Sequence, residues 1–305
     1  MDALHVPVLC AESVAFLDVG RGGLFVDATV GLGGHAEAVL AASPAVRLLG
    51  LDRDPDALER ARARLAPFGA RVELALGDFR ELDARVGPDR RVAGVLADLG
   101  VSSLQLDRGE RGFSFSRDGP LDMRMSRDGR TAADWIASST EGELTEIFRK
   151  YGEEPEARRV ARAVVAAGAR GELDSTRALA EVVRRAKRAP RGEERIDPAT
   201  RAFQALRIAV NDELAALEEL LDQAVRLLER EGRLVVISYH SLEDRIVKNK
   251  LRDLARGQVD PVTGRTLSET RVLDVLTRKP VRPTPAEIEA NPRSRSARLR
   301  AARRL

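Results

Sequence analysis

The amino-acid sequence predicts an α/β fold with a parallel β-sheet and an inserted all-helical domain. The N-terminal third alternates short β-rich runs with helical patterns, which is typical of βαβ units. From Thr131 to about Leu206 the pattern is helical without β-rich runs, and a strand followed by a helix returns after Gly232. With 305 residues, 43% of them hydrophobic, the chain has enough apolar material for one large domain or two ordinary ones.

Four strands are predicted in the N-terminal third, at residues 24–28, 46–52, 71–76 and 92–98. After the second of these, Asp54 is a helix N-cap followed by Pro55 at the first helical position, which predicts a helix that extends to Leu65. Right-handed crossovers of this kind place parallel strands side by side in one sheet.

Residues 99–130 interrupt this pattern. They are rich in Gly, Ser, Pro and Arg and lack helical or strand periodicity, and so long an irregular stretch is usually functional or disordered. Three helix starts follow, marked by a capping box at Thr140 and Glu143, by Ser175 or Thr176, and by Asp197-Pro198.

The α/β pattern resumes towards the C-terminus. The helix that begins at Asp197 keeps its apolar spacing to Leu228 before Glu231-Gly232 ends it, and a fifth strand at 234–238 is followed by a helix at 242–254. Residues 271–276 are predicted as the last strand, and the proline-rich, basic remainder as extended or flexible. These patterns predict a discontinuous core, 1–107 and 205–305, and a helical insertion, 108–204.

The net charge of +3 is unevenly distributed. From Arg278 to the C-terminus there are nine basic and two acidic residues, so this tail carries +7 and the remainder of the chain −4. The asymmetry predicts a polyanionic partner, although a solvated arginine-rich tail explains it equally well. The aromatic content of 4% argues against an extensive base-stacking surface.

The composition argues against several classes of protein. No apolar run approaches the ~20 residues of a membrane span, and the N-terminus lacks the basic flank and apolar core of a secretory signal. The single cysteine, Cys10, excludes an internal disulfide, and the three histidines are not clustered at zinc-ligand spacing. We therefore expect a soluble cytoplasmic protein without a metal or a membrane partner.

A glycine-rich turn follows the first predicted strand. Gly31, Gly33 and Gly34 lie before a helix start, where glycines let a ligand approach the backbone and the helix presents unpaired N–H groups. The spacing does not fit G-x-G-x-x-G, which weakens a nicotinamide dinucleotide interpretation. Asp52, at the end of the second strand, is placed to accept hydrogen bonds from ribose hydroxyls.

Acidic residues also end the other predicted strands. Asp27, Asp52, Asp78 beside Phe79, and Asp98 should fall on one rim of the sheet, where open α/β folds bind ligands. The ring and backbone at Phe79 suit an adenine. An acidic rim favours a cationic ligand over a pyrophosphate, and S-adenosylmethionine carries a sulfonium and an ammonium group. The chemistry predicted from these residues is methyl transfer.

Several long motifs resemble those of the bacterial 16S rRNA cytosine-N4 methyltransferases, the RsmH (MraW) family. The matching stretches extend from His5 to the C-terminal region and lie at residues 5–9, 27–35, 52–55, 98–107, 111–115, 118–125, 203–211, 238–245 and 291–296. The resemblance implies a Rossmann-like S-adenosylmethionine-dependent methyltransferase core with an inserted all-helical, substrate-recognition domain. It also implies methylation of the exocyclic N4 amine of one cytidine in the decoding region of 16S rRNA, within the small ribosomal subunit.

The resemblance further implies which residues contact the cofactor. By motif position these are Gly33, Gly34, His35, Asp52, Phe79, Asp98 and Gln105.

Three residues are candidates for catalysis: Asp98, Tyr239 and His240. The N4 amine of cytosine is a poor nucleophile, so a site must hold it in line with the methyl group and accept its hydrogen bonds as it becomes tetrahedral. Asp98 is the candidate acceptor, and binding of the cofactor is an equally supported role for it. Many amino-group methyltransferases have an Asp-Pro-Pro-Tyr type motif at this position, whose aromatic side chain stacks on the target base. Here Asp98 is followed by Leu-Gly-Val, so the stacking residue must come from elsewhere, and the candidates are Tyr239, Phe113 and Phe115. His240 is a candidate proton relay.

Clustered cations are candidates for guiding the RNA backbone. They are the six arginines between 108 and 130, the group Arg184, Arg185, Lys187, Arg188 and Arg191, and the basic tail. The alternatives are a methyltransferase of the same fold acting on another RNA or on a protein, and a non-catalytic rRNA-binding assembly factor.

Overall fold

The computed structural model describes residues 7–187, 197–258, 263–264 and 266–305. His5, Arg188 and Arg191 lie outside these residues. The chain divides into two compact units, one formed by Met1–Gly100 with Leu214–Leu305 and the other by Val101–Glu213.

The strands are β1 (Gly23–Asp27), β2 (Val46–Asp52), β3 (Val72–Leu76), β4 (Val92–Asp98), β5 (Leu228–Ser238), β6 (Leu273–Val275) and β7 (Arg298–Arg304). The helices are α1 (Cys10–Leu17), α2 (Gly34–Ala42), α3 (Pro55–Leu65), α4 (Leu82–Val86), α5 (Ser103–Asp107), α6 (Ala132–Ser138), α7 (Glu141–Gly152), α8 (Ala157–Ala169), α9 (Thr176–Ala186), α10 (Thr200–Asn211), α11 (Glu213–Leu227), α12 (Ser241–Arg256) and α13 (Pro285–Ala290).

The first unit is built on a seven-stranded mixed sheet with the order β3-β2-β1-β4-β5-β7-β6. Strands β1 to β5 are parallel to one another, and β7 is antiparallel to both β5 and β6. The five parallel strands therefore end at one edge of the sheet, here called the carboxyl edge, with Asp27, Asp52 and Asp98 as the last residues of β1, β2 and β4.

Both faces of this sheet are buried. Helices α11 and α12 pack on one face, where Leu217, Leu220 and Val247 belong to the same apolar cluster as Val26 and Leu49. Helices α1, α2 and α3 pack on the other face, in a second cluster around Phe25 and Leu48. Strands covered on both faces are continuously apolar rather than alternating, which explains the uninterrupted hydrophobic runs in the sequence.

Most predicted elements of the first unit are confirmed. Strands β2 and β4 have the predicted bounds, β1 is shifted by one residue at both ends, and β3 starts one residue later than predicted. Helix α3 begins at Pro55 and ends at Leu65, and Asp54 caps it by accepting a hydrogen bond from the Asp56 N–H at 3.0 Å.

The prediction of one helix from Asp197 to Leu228, ended by Glu231-Gly232, is wrong. Two helices occupy this stretch, because Asp212 adopts a left-handed conformation with φ 49° and separates α10 from α11. Strand β5 starts directly at Leu228, and Glu231 and Gly232 lie inside it, where the register against β4 shifts.

The prediction of an extended or flexible C-terminal tail is also wrong. Residues 285–290 form α13, and β7 is inserted between β5 and β6, so it is an interior strand of the sheet. Leu299, Ala301 and Ala302 are fully buried on it. In the sequence these apolar residues lie between arginines, so the segment resembles a solvated basic tail rather than a buried strand.

The second unit is helical. Helices α6 to α10 surround one apolar cluster with Phe148, Val160, Leu179 and Leu206 near its centre. The unit starts at Val101, which packs against this cluster, and it includes all of α10. The sequence placed the boundaries at 107/108 and 204/205, inside these packed segments.

The irregular segment of the second unit is held by specific contacts. Asn211 accepts a hydrogen bond from the Met125 N–H and donates one to the Met123 carbonyl, both at 2.8 Å. Asp118 accepts a hydrogen bond from the Arg177 N–H at the start of α9. A Cβ atom on Gly112 would lie 2.2 Å from the Pro120 carbonyl oxygen, so only glycine fits there.

The predicted capping box of α7 and the Ser175 cap of α9 are confirmed. Among the residues that the structure describes, no helix combines the length and the apolar character needed to cross a membrane.

Candidate active site

The glycine turn connects β1 to α2 at the carboxyl edge. Gly31 and Gly33 have positive φ values of 51° and 79°, in the region that glycine adopts most easily. A Cβ atom on Gly33 would lie 3.3 Å from Leu65 Cγ, and one on Gly34 would lie 3.2 Å from the Pro7 ring. The turn therefore packs against α3 and the N-terminal segment with no room for side chains.

Asp52 fixes this turn to the end of β2. Its Oδ2 accepts a hydrogen bond from the Gly31 N–H and its Oδ1 accepts one from the Asp54 N–H, both at 2.8 Å. Burial raises the pKa of Asp52, and the two backbone hydrogen bonds oppose that rise. Each carboxylate oxygen has a further lone pair that can accept a hydrogen bond from a ligand hydroxyl.

Asp98 is held from two sides. Its backbone N–H donates to Thr29 Oγ1 at 2.7 Å, and the Tyr239 hydroxyl donates to its Oδ1 at 2.8 Å. Burial raises the pKa of Asp98 to about 7, although the Tyr239 hydrogen bond lowers it. Burial and the neighbouring Asp98 raise the pKa of Tyr239 well above 10, so its hydroxyl keeps its proton.

His35 lies on the other side of the Asp98 carboxyl group. It is 6% exposed, and its Nε2 donates to the Val8 carbonyl at 2.9 Å because a carbonyl oxygen can only accept. Its Nδ1 lies 3.7 Å from Asp98 Oδ2. Burial lowers the pKa of His35, so the ring is neutral and the lone pair of Nδ1 faces Asp98.

A second buried carboxyl group, that of Asp27, ends β1. It is 2% exposed, and its Oδ1 accepts a hydrogen bond from the Thr29 N–H at 3.2 Å. Burial raises the pKa of Asp27 to about 7, with His35 acting in the opposite direction. The region between β1 and β4 thus holds two carboxyl groups that titrate near neutrality.

His240 caps helix α12 together with Glu243. Its Nδ1 accepts the Glu243 N–H at 3.4 Å, while Glu243 Oε2 accepts the Tyr239 N–H at 2.8 Å and the His240 N–H at 3.3 Å. His240 Nε2 lies 3.2 Å from Glu243 Oε1. The structure therefore places the His240 ring against Glu243 at the start of α12, and its role as a proton relay stays a prediction.

Phe79 follows the end of β3 in a short 3₁₀ turn. It is half-buried and packs against the core on the α11 and α12 face of the sheet. The preceding Asp78 accepts hydrogen bonds from the Arg80 N–H at 2.9 Å and from Arg53 at 3.2 Å, which fixes the turn at the carboxyl edge.

Gln105 and the two candidate phenylalanines belong to the second unit. Gln105 is buried in α5 and its Oε1 accepts the Ser102 N–H at 3.1 Å. Phe113 is buried in the apolar cluster, and the ring of Phe115 meets the ring of Phe203 edge to face at 5.0 Å. Both phenylalanine rings thus contribute to the packing of the helical unit.

Several cations expected to guide RNA have partners inside the second unit. Arg111 donates to the Met125 carbonyl at 2.9 Å, and Arg184 pairs with Asp197 at 2.7 Å. Lys187 pairs at 3.0 Å with Glu154, whose side chain is fully buried. These three side chains stabilise the unit, which lowers their availability for phosphate binding.

Sequence reasoning missed three groups that organise the site. Thr29 holds the backbone of Asp98, the Val8 carbonyl holds His35, and Glu243 holds the turn that carries Tyr239. Only Glu243 had a local signal, because His240-x-x-Glu243 has the spacing of a capping box.

The seven-stranded sheet, the glycine turn and the acids at its carboxyl edge define the Rossmann-like fold of S-adenosylmethionine-dependent methyltransferases. Within this class, the family model described as the MraW methylase family matches residues 2–305, and the chain belongs to that family. The resemblance drawn from the motifs and the predicted cofactor, S-adenosylmethionine, are thereby confirmed.

The chain is similar to proteins named Ribosomal RNA small subunit methyltransferase H. It is 50% identical to that of Nitrosococcus oceani, with 98% of this chain and 96% of the relative covered. It is 49% identical to that of Thermobifida fusca, with 98% and 93% covered.

Solved structures with a similar fold include an rRNA methylase from Streptococcus thermophilus, with 13% identity, a TM-score of 0.43 and 97% and 93% coverage. A protein from Streptococcus mutans solved in complex with SAH has 12% identity, a TM-score of 0.47 and 99% and 100% coverage.

Proposed function

We propose that this protein methylates the N4 amine of one cytidine in the decoding region of 16S rRNA, with S-adenosylmethionine as the methyl donor. The observation that carries the proposal is the Asp98 carboxyl group, which lies beside the glycine turn and is fixed by Tyr239 and Thr29. The names of the relatives support rRNA of the small subunit as the substrate.

The donor set at the carboxyl edge fits S-adenosylmethionine. The Gly33 and Gly34 backbone can approach the ligand closely, Asp52 keeps lone pairs for ribose hydroxyls, and the Phe79 ring suits the adenine. The Asp98 carboxylate and the neutral His35 complete an environment that favours a cation. Gln105 remains the seventh proposed contact. When bound, the cofactor supplies an electrophilic methyl group.

Asp98 is the proposed hydrogen-bond and proton acceptor. The N4 lone pair is delocalised into the cytosine ring, so an acceptor that strengthens its hydrogen bond as the nitrogen becomes tetrahedral lowers the barrier. Bound S-adenosylmethionine would supply the methyl group to N4, and Asp98 would accept the proton that N4 gives up. A carboxyl group with a pKa near 7 is ionised often enough to accept that proton at neutral pH.

We infer that Tyr239 acts through Asp98 rather than as a stacking platform. Its hydroxyl donates to Asp98, and its ring is packed so close to Gly100 that a Cβ atom there would lie 3.4 Å from it.

The proposed substrate is rRNA within the small ribosomal subunit, and the proposed site of action is the cytoplasm.

Mass spectrometry of labelled nucleosides tests this function. The protein is incubated with isotope-labelled S-adenosylmethionine and small ribosomal subunits that lack their modifications, and the rRNA is then digested to nucleosides. We expect label in N4-methylcytidine with the wild type and none with Asp98→Asn. Label in another nucleoside would move the proposal to a different RNA position. Absence of label in RNA, with cofactor binding intact by calorimetry, would favour a protein substrate or an assembly factor.

A further inference from the structure

Two of the cations on β7, Arg300 and Arg303, form ion pairs within the first unit. Arg300 is 6% exposed, and its Nε donates to Asp244 Oδ1 at 2.6 Å. Arg303 pairs with Glu231 at 2.8 Å and with Asp274 at 3.2 Å. These ion pairs hold β7 between its neighbours, so this part of the basic tail has a structural role.

The cations that precede β7 have different surroundings. The exposed members are Arg278, Lys279, Arg282, Arg293 and Arg295. Within the described parts of the chain, no acidic side chain forms an ion pair with Arg282 or Arg295. Glu287, one of two acids in this segment, instead accepts the Leu9 N–H at 2.7 Å. Arg282 and Arg295 therefore present uncompensated positive charge to solvent.

The strand register places this charge at the carboxyl edge. Arg298 is paired with Ser238, the last residue of β5, and the next residue, Tyr239, donates to Asp98. Val281 is paired with Leu299 in an antiparallel bridge, which puts Arg282 opposite Arg298. Since adjacent strands are about 5 Å apart, Arg298 lies one strand, and Arg282 two strands, from the strand end that carries Tyr239.

Two further arginines are presented by a fixed turn just before β7. Residues Pro292–Ser296 form a 3₁₀ turn in which Ser294 is fully buried and its Oγ donates to the Asn291 carbonyl at 2.8 Å. Arg293 and Arg295 flank this buried serine, and both are exposed. Because the turn is anchored, the two guanidinium groups lose less freedom on binding a ligand than those of a flexible tail would.

We propose that Arg282, Arg293 and Arg295 form a phosphate-binding surface that holds the RNA strand beside the target nucleotide. Guanidinium groups match phosphate oxygens through paired N–H donors, and the surface is continuous with the edge that carries Asp98. The polyanionic partner predicted from the charge of the tail is thus RNA, and it binds the segment before β7, which carries Arg282, Arg293 and Arg295, rather than β7 itself. This inference rests on the proposed function, because it takes RNA as the ligand.

RNA binding as a function of salt tests this surface. The probe is a fluorescein-labelled RNA strand from the decoding region, and binding is followed by fluorescence anisotropy. The test variant combines Arg282→Gln, Arg293→Gln and Arg295→Gln. The matched control combines Arg47→Gln, Arg62→Gln and Arg91→Gln, three exposed arginines near the opposite edge of the same sheet.

Each phosphate contact on single-stranded RNA contributes about 0.7 to the slope of log affinity against log salt. Three lost contacts reduce the slope by about 2, so between 50 and 200 mM salt the wild type loses roughly 20-fold more affinity than the test variant. The control should keep the wild-type slope. Methylation of subunits by the test variant should show a raised KM and an unchanged kcat.

The proposed surface would be refuted if the slope of log affinity against log salt were the same for the test variant and the wild type. It would also be refuted if the test and control variants lost equal amounts of slope. These outcomes do not depend on which nucleoside is methylated. A reduced slope in the test variant alone supports the surface even if the N4-methylcytidine assay fails, so the two proposals are judged separately.

Discussion

Replacing Tyr239 by phenylalanine should shift the pH dependence of methyl transfer rather than abolish the activity. The variant keeps the ring and its packing and removes only the hydroxyl that donates to Asp98 at 2.8 Å. That hydrogen bond favours the carboxylate form and lowers the pKa of Asp98, which burial raises to about 7. Its loss raises the pKa further, so a higher pH is needed to form the carboxylate that accepts the proton.

The size of the shift follows from the hydrogen bond that is lost. A hydrogen bond to a charged group contributes about 1.5–3 kcal/mol, and one pKa unit corresponds to about 1.4 kcal/mol. The acidic limb of the pH–rate profile should therefore move up by about 1–2 units. Near pH 7 the wild type is about half ionised at Asp98, so the variant should be roughly 5- to 50-fold slower there and approach the wild type above pH 9.

The assay is single-turnover methylation of small subunits from pH 6 to 10, with cofactor affinity measured by calorimetry at each end of the range. Tyr151→Phe removes the hydroxyl of the other tyrosine in the chain and serves as the matched control, with an unshifted profile expected. A uniform loss of rate at every pH in Tyr239→Phe would indicate a structural role only, and the proposed action of Tyr239 through Asp98 would be refuted.

Three further changes test other parts of the structure. Asp27→Asn removes a buried carboxyl group whose pKa is raised to about 7 in the folded state. The stability of the wild type therefore falls as the pH rises from the unfolded pKa to about 7, so the stability of the variant relative to the wild type should increase over this range, by at most about 1.4 kcal/mol per pH unit. Urea denaturation at pH 5 and 8 measures this difference, and a difference that does not change with pH would contradict the prediction. Arg300→Met leaves the partly buried Asp244 without its closest cation and should reduce the free energy of unfolding by about 3 kcal/mol, with partial recovery when Asp244→Leu is added; no recovery would argue against the ion pair. Asn211→Ala removes the acceptor of the Met125 N–H and the donor to the Met123 carbonyl and should cost about 2–4 kcal/mol, detected as faster proteolysis within residues 109–130. An unchanged cleavage pattern would count against these contacts.

The elements with local signals were predictable from the sequence. Helix α3 follows from the Asp54 cap and the Pro55 start, because both act on the backbone within one turn. Strands β2 and β4 follow from apolar runs that are buried on both faces of a parallel sheet. In each case the residues that determine the element lie inside it, so one sequence is sufficient.

Elements determined by distant contacts were not predictable in this way. The break between α10 and α11 occurs at Asp212, a non-glycine residue with positive φ, and it has neither the glycine nor the proline that usually marks such a break. The alternation of arginine with leucine and alanine in β7 resembles a solvated tail until β5 and β6 are placed beside it. Both features depend on tertiary packing, which overrides local preference.

In the candidate site, too, some features were predictable from local sequence signals and others depend on distant contacts. The acids at the ends of β1, β2 and β4 were predictable because parallel topology brings strand ends together whatever the lengths of the connections. The contact of Tyr239 with Asp98 joins residues 141 positions apart, and it depends on β5 lying next to β4 in the sheet.

That adjacency also explains why Tyr239 differs from the stacking aromatic expected by analogy with other amino methyltransferases. The residue comes from the end of β5, one strand away from the Asp98 strand, so its hydroxyl reaches the carboxyl group from the side. An aromatic residue three positions after Asp98 on the same loop would instead present a ring face to a base. The Asp98-Leu-Gly-Val sequence and the Tyr239 contact are thus two parts of one proposed arrangement. In it, Tyr239 tunes the proposed acceptor Asp98 from the neighbouring strand, and other residues stack on the base.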